Sequence, residues 1–162
     1  MPSQDWRFDA VPPGARAIFT CVPTVNKAVV AATVGATEAA EAGGQELAAL
    51  LAGYGSINRA ARAAQVPTIG VAHGTVNGCV TEHGVPMAGF DHEFTTTSLF
   101  SAGVQAFMLG HIHKHQSWDD SGRVIAYAGS IGRFHHGELD AKGFLQWEVG
   151  AAAARFRLVE TP

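Results

Sequence analysis

Cysteine and long apolar runs are scarce in this sequence. Its two cysteines, Cys21 and Cys79, are far apart and form no Cys-x-x-Cys motif, which argues against a disulfide framework and against a thiolate metal site. No run approaches the roughly 18 apolar residues of a membrane-spanning helix. The start also lacks the basic stretch and apolar stretch of a signal peptide. We therefore expect a cytoplasmic protein without membrane contact.

Clusters of basic residues are also missing. The 11 Lys and Arg residues are scattered, and the formal net charge is −3. Proteins that bind nucleic acid through its phosphates normally group these residues into a basic patch. If this chain handles a phosphodiester, bound cations or other polypeptides must therefore neutralise most of the phosphate charge.

The remaining composition is typical of one globular domain. Of the 162 residues, 47% are hydrophobic and 15% are charged, which is neither a disordered nor a membrane composition. We expect an irregular entry over residues 1–15 and a single domain over residues 16–160.

Local patterns predict both strands and helices. The Ala-rich segment 37–64 predicts helical pieces, interrupted at Gly43-Gly44 and between Gly53 and Gly55. Residues 95–103 predict a short helix, and residues 118–123 a turn. Stretches rich in β-branched and aromatic residues predict strands at 16–22, 67–74, 104–113, 123–130, 143–150 and 154–160, the last two as a hairpin. Early alternation of strand and helix, followed by strand after strand, predicts a layered α/β sandwich.

Histidines are concentrated at the ends of two predicted strands. His111 and His113 lie two residues apart, so on an extended chain both imidazoles point to the same face. His73 ends a different predicted strand. Strand ends of α/β sheets meet in a shared crevice, and neutral imidazole binds Mn, Fe, Zn or Ni. The pattern predicts a metal site formed by His73, His111 and His113, with a polar surface turn as the alternative.

Three stretches together resemble a known family. They are "VAHG" (71–74), "GHIHKHQ" (110–116) and "VIAYAGSIGRFHHGELDAKGFLQWEV" (124–149). The region from residue 67 to residue 149 resembles the C-terminal half of calcineurin-like metallophosphoesterases, and within them the SbcD-type nuclease subunit of the bacterial double-strand-break processing complex. "GHIHKHQ" looks like the family's fifth metal motif, GHxH, and "VAHG" like its fourth.

The resemblance implies a fold, a cofactor and partners. The fold would be a layered α/β sandwich of metallophosphoesterase type, incomplete at its N-terminal side. His73 and His111 would ligate one cation and His113 its neighbour, in a two-metal manganese centre, with Fe, Zn or Mg as other metals. The reaction would be hydrolysis of DNA phosphodiesters, in the manner of a DNA-repair exonuclease, with an SbcC-type ATPase as partner.

Further polar residues lie near these motifs. His115, Ser130, Arg133 and His135 are candidates to touch substrate or to support the ligands. For His115 a supporting or solvent position is favoured over ligation. For the other three, an ordinary surface or turn position is favoured.

Three motifs that the family needs are absent from this sequence. It contains no D-x-H, no G-D-x-x-D and no G-N-H, so the carboxylate that bridges the cations and the histidine that assists the leaving group are missing. Other carboxylates could supply ligands, but their spacing selects none of them: Asp91, Glu93, Asp119, Asp120 and Glu138. We expect weak metal binding, little or no phosphodiesterase activity from this chain alone, and an exposed sheet edge or face.

Other functions remain open at this point. The same fold could act on nucleotides, phosphoproteins or small phosphodiesters. The chain could also be a non-catalytic fragment or a module that associates with a separate N-terminal half. A third alternative is a mononuclear site in which His73, His111 and His113 hold one zinc ion.

Overall fold

The computed structural model describes residues 11–24, 32, 39–87 and 94–162. No helix in these ranges combines the length and apolar character needed to cross a membrane. The elements in chain order are β1 (Ile18–Cys21), α1 (Ala39–Ala63), β2 (Thr68–His73), α2 (Thr96–Ser101), β3 (Ala106–Gly110), β4 (Gln116–Asp120), β5 (Arg123–Tyr127), β6 (Gly143–Val149) and β7 (Ala154–Glu160).

A five-stranded sheet with the order β1-β2-β3-β5-β4 forms the centre of the structure. β1, β2, β3 and β5 run parallel, and only β4 pairs antiparallel, with β5. The carboxyl ends of the parallel strands therefore meet at one edge of the sheet. β6 and β7 form a separate antiparallel hairpin. The prediction of an α/β fold is confirmed, including the hairpin at the end of the chain.

One face of the sheet packs against the helices. Alternate strand residues such as Ala72, Phe107 and Tyr127 join Leu51 of α1 and Leu99 of α2 in one buried core. The register places the Phe107 ring over Gly70, where an added Cβ would lie 2.7 Å from that ring. Every second residue of these strands therefore points into the core, because successive side chains of a strand point to opposite faces of the sheet.

Polar contacts hold the two helices in place. The buried side-chain amide of Asn58 on α1 donates to the Ala102 carbonyl at 2.7 Å and to the Thr20 hydroxyl at 3.0 Å. A capping box begins α2, because the Thr95 hydroxyl accepts from the Ser98 amide and the Ser98 hydroxyl from the Thr95 amide. The two hydrogen bonds of Asn58 therefore tie α1 to β1 and to the end of α2.

Two predictions of local structure were wrong. α1 is continuous from Ala39 to Ala63, although glycines were expected to divide it, because its alanines and leucines favour helix and its face is buried in the core. Gly55 lies where α1 approaches α2, and an added Cβ would be 2.5 Å from the Ser101 carbonyl oxygen. The predicted turn over 118–123 is instead the end of strand β4, and the turn is confined to Ser121 and Gly122.

The opposite face of the sheet is partly exposed. Phe19 on β1 is 61% exposed and Val71 on β2 is 38% exposed. Cys21 is exposed beside them, and Met108 of β3 is paired with Val71. Val124 and Ala126 of β5 lie on the same face but are buried, and the β6–β7 hairpin contacts β5. We call Phe19, Cys21, Val71 and Met108 the exposed sheet face.

Candidate functional site

His73 and His111 come together at the carboxyl ends of two neighbouring parallel strands. His73 ends β2 and is in register with Gly110, which ends β3 directly before His111. The two imidazole rings are edge to face, with centroids 5.1 Å apart and an interplanar angle of 68°. Gly110 leaves room for this arrangement, because an added Cβ would be 3.0 Å from Cδ2 of His73. The two imidazoles therefore lie side by side at the carboxyl ends of β2 and β3.

The backbone of His111 has an unusual conformation. Its φ angle is +111°, in a region that non-glycine residues rarely adopt. Such strain costs on the order of 1–3 kcal/mol and persists only where the surroundings hold it, often at functional sites. The strained residue is the one that brings the second imidazole to His73.

His113 is positioned differently from the other two predicted ligands. Its exposed ring lies against the ring of Phe134, with centroids 5.4 Å apart. Its carbonyl oxygen accepts hydrogen bonds from the Ser130 amide and from Nζ of Lys142, both at 3.1 Å. The backbone of His113 is therefore firmly held, while its side chain packs beside an exposed aromatic residue.

The described side chains do not build a two-metal centre by themselves. Within the described ranges, no group of three or more His, Cys, Asp or Glu side chains is arranged to hold a metal ion. His73 and His111 offer two nitrogens, whereas a catalytic zinc site has three protein ligands. Two cations also need an anionic bridge, and no carboxylate of the described residues is in place to provide one.

No family model and no curated protein matches this chain. The assignment to the metallophosphoesterases therefore depends on the quoted motifs and stays a prediction, as do the manganese centre and the DNA substrate.

The other four predicted residues mostly support backbone around the histidines. Nδ1 of His115 lies 2.7 Å from the Tyr127 carbonyl oxygen. Ser130 is buried, and its amide donates to His113. Nε of Arg133 donates to the Glu138 carbonyl at 3.0 Å. The exposed ring of His135 lies 6.1 Å from that of His83, so it reaches the loop that follows β2.

The candidate carboxylates fall in different places. Asp120 pairs with Arg123 at the start of β5, so Asp119 and Asp120 lie at the end of the sheet opposite the histidines. Glu138 lies at the histidine end but is buried against Lys142. Asp91 and Glu93 lie outside the described residues. Among the described candidates, only Glu138 is near the histidines.

Tyr127 and Lys142 support the site but had no signal in the sequence. The buried Tyr127 hydroxyl donates to the Gly74 carbonyl at 2.6 Å and accepts from the Val76 amide at 3.0 Å. These contacts fix the backbone that follows His73. Lys142 supports His113 in the same way from the loop after β5. Neither role could be predicted, because both contacts join residues that are distant in sequence.

A shallow concave surface continues from His73 along the exposed sheet face. It has a volume of about 500 Å³ and is lined by residues of the three strands β1, β2 and β3, among them Cys21, Val71, His73 and Met108. Its lining is mainly apolar. The histidine pair therefore lies at the rim of an apolar surface.

The Glu138 carboxyl group predicts a dependence of stability on pH. The ammonium group of Lys142, 2.6 Å from Oε2 of Glu138, holds the pKa of Glu138 below its ordinary value of 4.5, although burial acts in the opposite direction. Because the folded-state pKa is lowered, the contribution of this group is complete above the ordinary pKa and is lost as pH falls through the folded-state value. We expect wild-type stability to fall in this acid range, as measured by unfolding at a series of pH values.

The matched control is the exposed pair Arg155–Glu148, whose side chains are 79% and 67% exposed. Glu148→Gln should leave the acid dependence unchanged, whereas Glu138→Gln should flatten it. Parallel loss of stability in wild type and Glu138→Gln would contradict this assignment.

Proposed function

We propose that this chain carries the histidine part of a metal-dependent phosphoesterase site, most closely of the SbcD-like DNA nuclease type, acting in the cytoplasm. It contributes two imidazoles to a cation whose carboxylate ligands come from another polypeptide segment. On its own it binds the cation weakly and does not hydrolyse phosphodiesters.

The observation that carries the proposal is the convergence of His73 and His111. The two residues are 38 positions apart in sequence and come from separate strands, yet their ring centroids lie 5.1 Å apart. The strained φ of His111 supports a functional reason for this placement. Polar residues at the carboxyl ends of parallel strands are also the usual sites of α/β sheets.

The proposed inactivity follows from the ligands that are present. Two neutral imidazoles provide no negative charge to offset a dication or to bridge two of them. The buried Glu138 already pairs with Lys142, so it is not free to act as that anion. In this proposal, His73 and His111 hold a cation at the protein surface, where it stays open to solvent. The remaining chemistry needs the motifs that this sequence lacks.

The proposed substrate class has some support beside the histidines. Phe134 is 63% exposed and packs against His113, and exposed aromatic rings near a phosphate site allow nucleobases to stack. Arg133 and His135 flank it in sequence. This favours a nucleic acid or nucleotide over a phosphoprotein.

The first test is binding of Mn²⁺ to the purified chain. We expect His73→Ala/His111→Ala to weaken binding at least about tenfold, because each imidazole is a direct ligand. The matched control is His83→Ala/His136→Ala, which removes two exposed histidines that do not end a strand and should bind like wild type. Equal affinity of wild type and the His73/His111 variant would contradict the proposed site.

The second test is activity with single-stranded DNA, a dinucleotide and a small chromogenic phosphodiester, each with Mn²⁺. The chain alone should show no turnover above that of His73→Ala/His111→Ala. Turnover by the wild-type chain that this variant lacks would contradict the proposed inactivity.

A non-catalytic module is the second candidate function, and the exposed sheet face favours it. Large apolar side chains on one face of a sheet normally pack against another layer. In the test, the chain is co-expressed with a polypeptide that carries the D-x-H, G-D-x-x-D and G-N-H motifs. Copurification that Phe19→Ser/Val71→Ser abolishes would support association through this face. An associated complex without any turnover would favour the module over the enzyme.

A further inference from the structure

A buried ion pair lies inside the loop that joins β5 and β6. Glu138 is 1% exposed and Lys142 is 4% exposed, and Nζ of Lys142 lies 2.6 Å from Oε2 of Glu138. Burying two charges carries a large desolvation cost, which a hydrophobic pair of similar volume would avoid. The pair therefore needs a reason beyond the stability of this loop.

Lys142 also makes a contact outside its own loop. Its Nζ donates to the His113 carbonyl oxygen at 3.1 Å. The same oxygen accepts from the Ser130 amide at 3.1 Å. We call residues 111–115 the histidine loop. A charged donor and a backbone donor thus meet on one peptide group in the middle of the histidine loop, two residues from His111.

The Lys142 backbone is itself anchored on both sides. Its carbonyl accepts from the Thr161 amide at 2.9 Å, and the adjacent Gly143 amide donates to the Ser130 carbonyl at 3.3 Å. The ammonium group is therefore presented from the fixed start of β6. The ammonium group of Lys142 also lowers the pKa of the Glu138 carboxyl group, although burial acts in the opposite direction.

We propose that Lys142, held in place by Glu138, is a positioning residue that fixes the histidine loop so that His111 meets His73. Lys142 acts through the His113 backbone and does not touch the cation. The part of this inference that concerns cation affinity depends on the proposed function, whereas the part that concerns the order of the loop does not.

The chain offers a matched control for this role. Lys114 and Asp140 form a second ion pair between the same two loops, with Nζ and Oδ2 3.2 Å apart, but both side chains are partly exposed. Such exposed pairs contribute little. Asp140→Asn therefore breaks this exposed pair from the loop that also carries Lys142, without altering the histidine loop and without removing the donor to His113.

The test uses the full chain and the double variant Glu138→Leu/Lys142→Met. Replacing both charges by apolar residues avoids the unpaired buried charge that either single change would leave, so the double variant should fold. We expect the amide signals of residues 111–115 to shift and broaden in its NMR spectrum. We also expect about a tenfold loss of Mn²⁺ affinity, the usual scale for residues that orient ligands. Asp140→Asn should match wild type in both measurements.

Each outcome decides one of the two claims. Wild-type amide signals at residues 111–115 together with wild-type Mn²⁺ affinity in the folded double variant would overturn the positioning role. Equal losses in the double variant and in Asp140→Asn would also overturn it, because any loosening of these loops would then suffice. If the wild-type chain binds no Mn²⁺, the proposed function fails, and the amide signals alone decide whether Lys142 orders the histidine loop.

Discussion

Replacing Gln105 with leucine is expected to lower the free energy of unfolding by about 3 kcal/mol or more, because it leaves several buried polar groups without partners. The fully buried Gln105 side chain accepts from the Thr68 amide at 2.8 Å and from the Thr68 hydroxyl at 2.5 Å. Its Nε2 donates to the Ala151 carbonyl at 2.5 Å. One side chain therefore joins β2, the start of β3 and the turn of the β6–β7 hairpin.

Leucine preserves the volume of the side chain, so the change isolates the hydrogen bonds. Chemical denaturation followed by circular dichroism measures the loss. Gln146→Leu is the matched control, because Gln146 is exposed and its side chain accepts hydrogen bonds across the hairpin from Arg157. It should change stability by no more than about 0.5 kcal/mol. Similar values for the two variants would contradict the importance of the buried network.

Replacing Gly129 with alanine is expected to cost about 3 kcal/mol of stability through strain and overpacking. Gly129 has a φ of +83°, and an added Cβ would lie 2.9 Å from the His115 amide nitrogen and 3.0 Å from the His113 carbonyl oxygen. Both atoms belong to the backbone of the histidine loop, which must move to admit a methyl group. Mn²⁺ binding should weaken in the same variant.

Gly132→Ala is the control for this change. Gly132 lies in the same loop, has no positive φ, and has no atom within 4 Å of an added Cβ. Its replacement should leave Mn²⁺ binding unchanged and could raise stability by up to about 1 kcal/mol, because alanine restricts the unfolded chain. Wild-type stability in Gly129→Ala would show that the histidine loop is not held against residue 129.

Gln105→Leu and Gly129→Ala test the contacts at opposite ends of the central sheet. Gln105 joins layers at the end of the sheet opposite the histidines, so its loss should lower stability without a specific effect on the cation. Gly129 lies directly against the histidine loop, so its replacement should change both quantities. A separation of this kind would show that the histidine end of the sheet is held by its own contacts.

Some of the fold could be predicted from short-range patterns. The strands ending at His73 and near His111 follow from β-branched and apolar residues of regular spacing, and the final hairpin from two such runs around a glycine. Local propensity alone predicts breaks in helix α1 at its glycines, although the helix is continuous. Burial of Leu47 and Leu51 in the core overrides that propensity. Local patterns do not predict strand β4, because "WDDSG" favours a turn.

The amino-acid sequence by itself determined which chemistry is present: histidines at strand ends, a histidine-glycine pattern like that of metallophosphoesterases, and no carboxylate motifs to accompany them. Parallel strand ends must share an edge, so the approach of His73 and His111 could be expected from local patterns. Only the tertiary structure decided that His113 turns to Phe134, that Asp119 and Asp120 lie at the far end of the sheet, and that Glu138 pairs with Lys142. Those placements depend on strand order and on contacts between distant residues, which are set by packing of the whole chain and leave no local pattern.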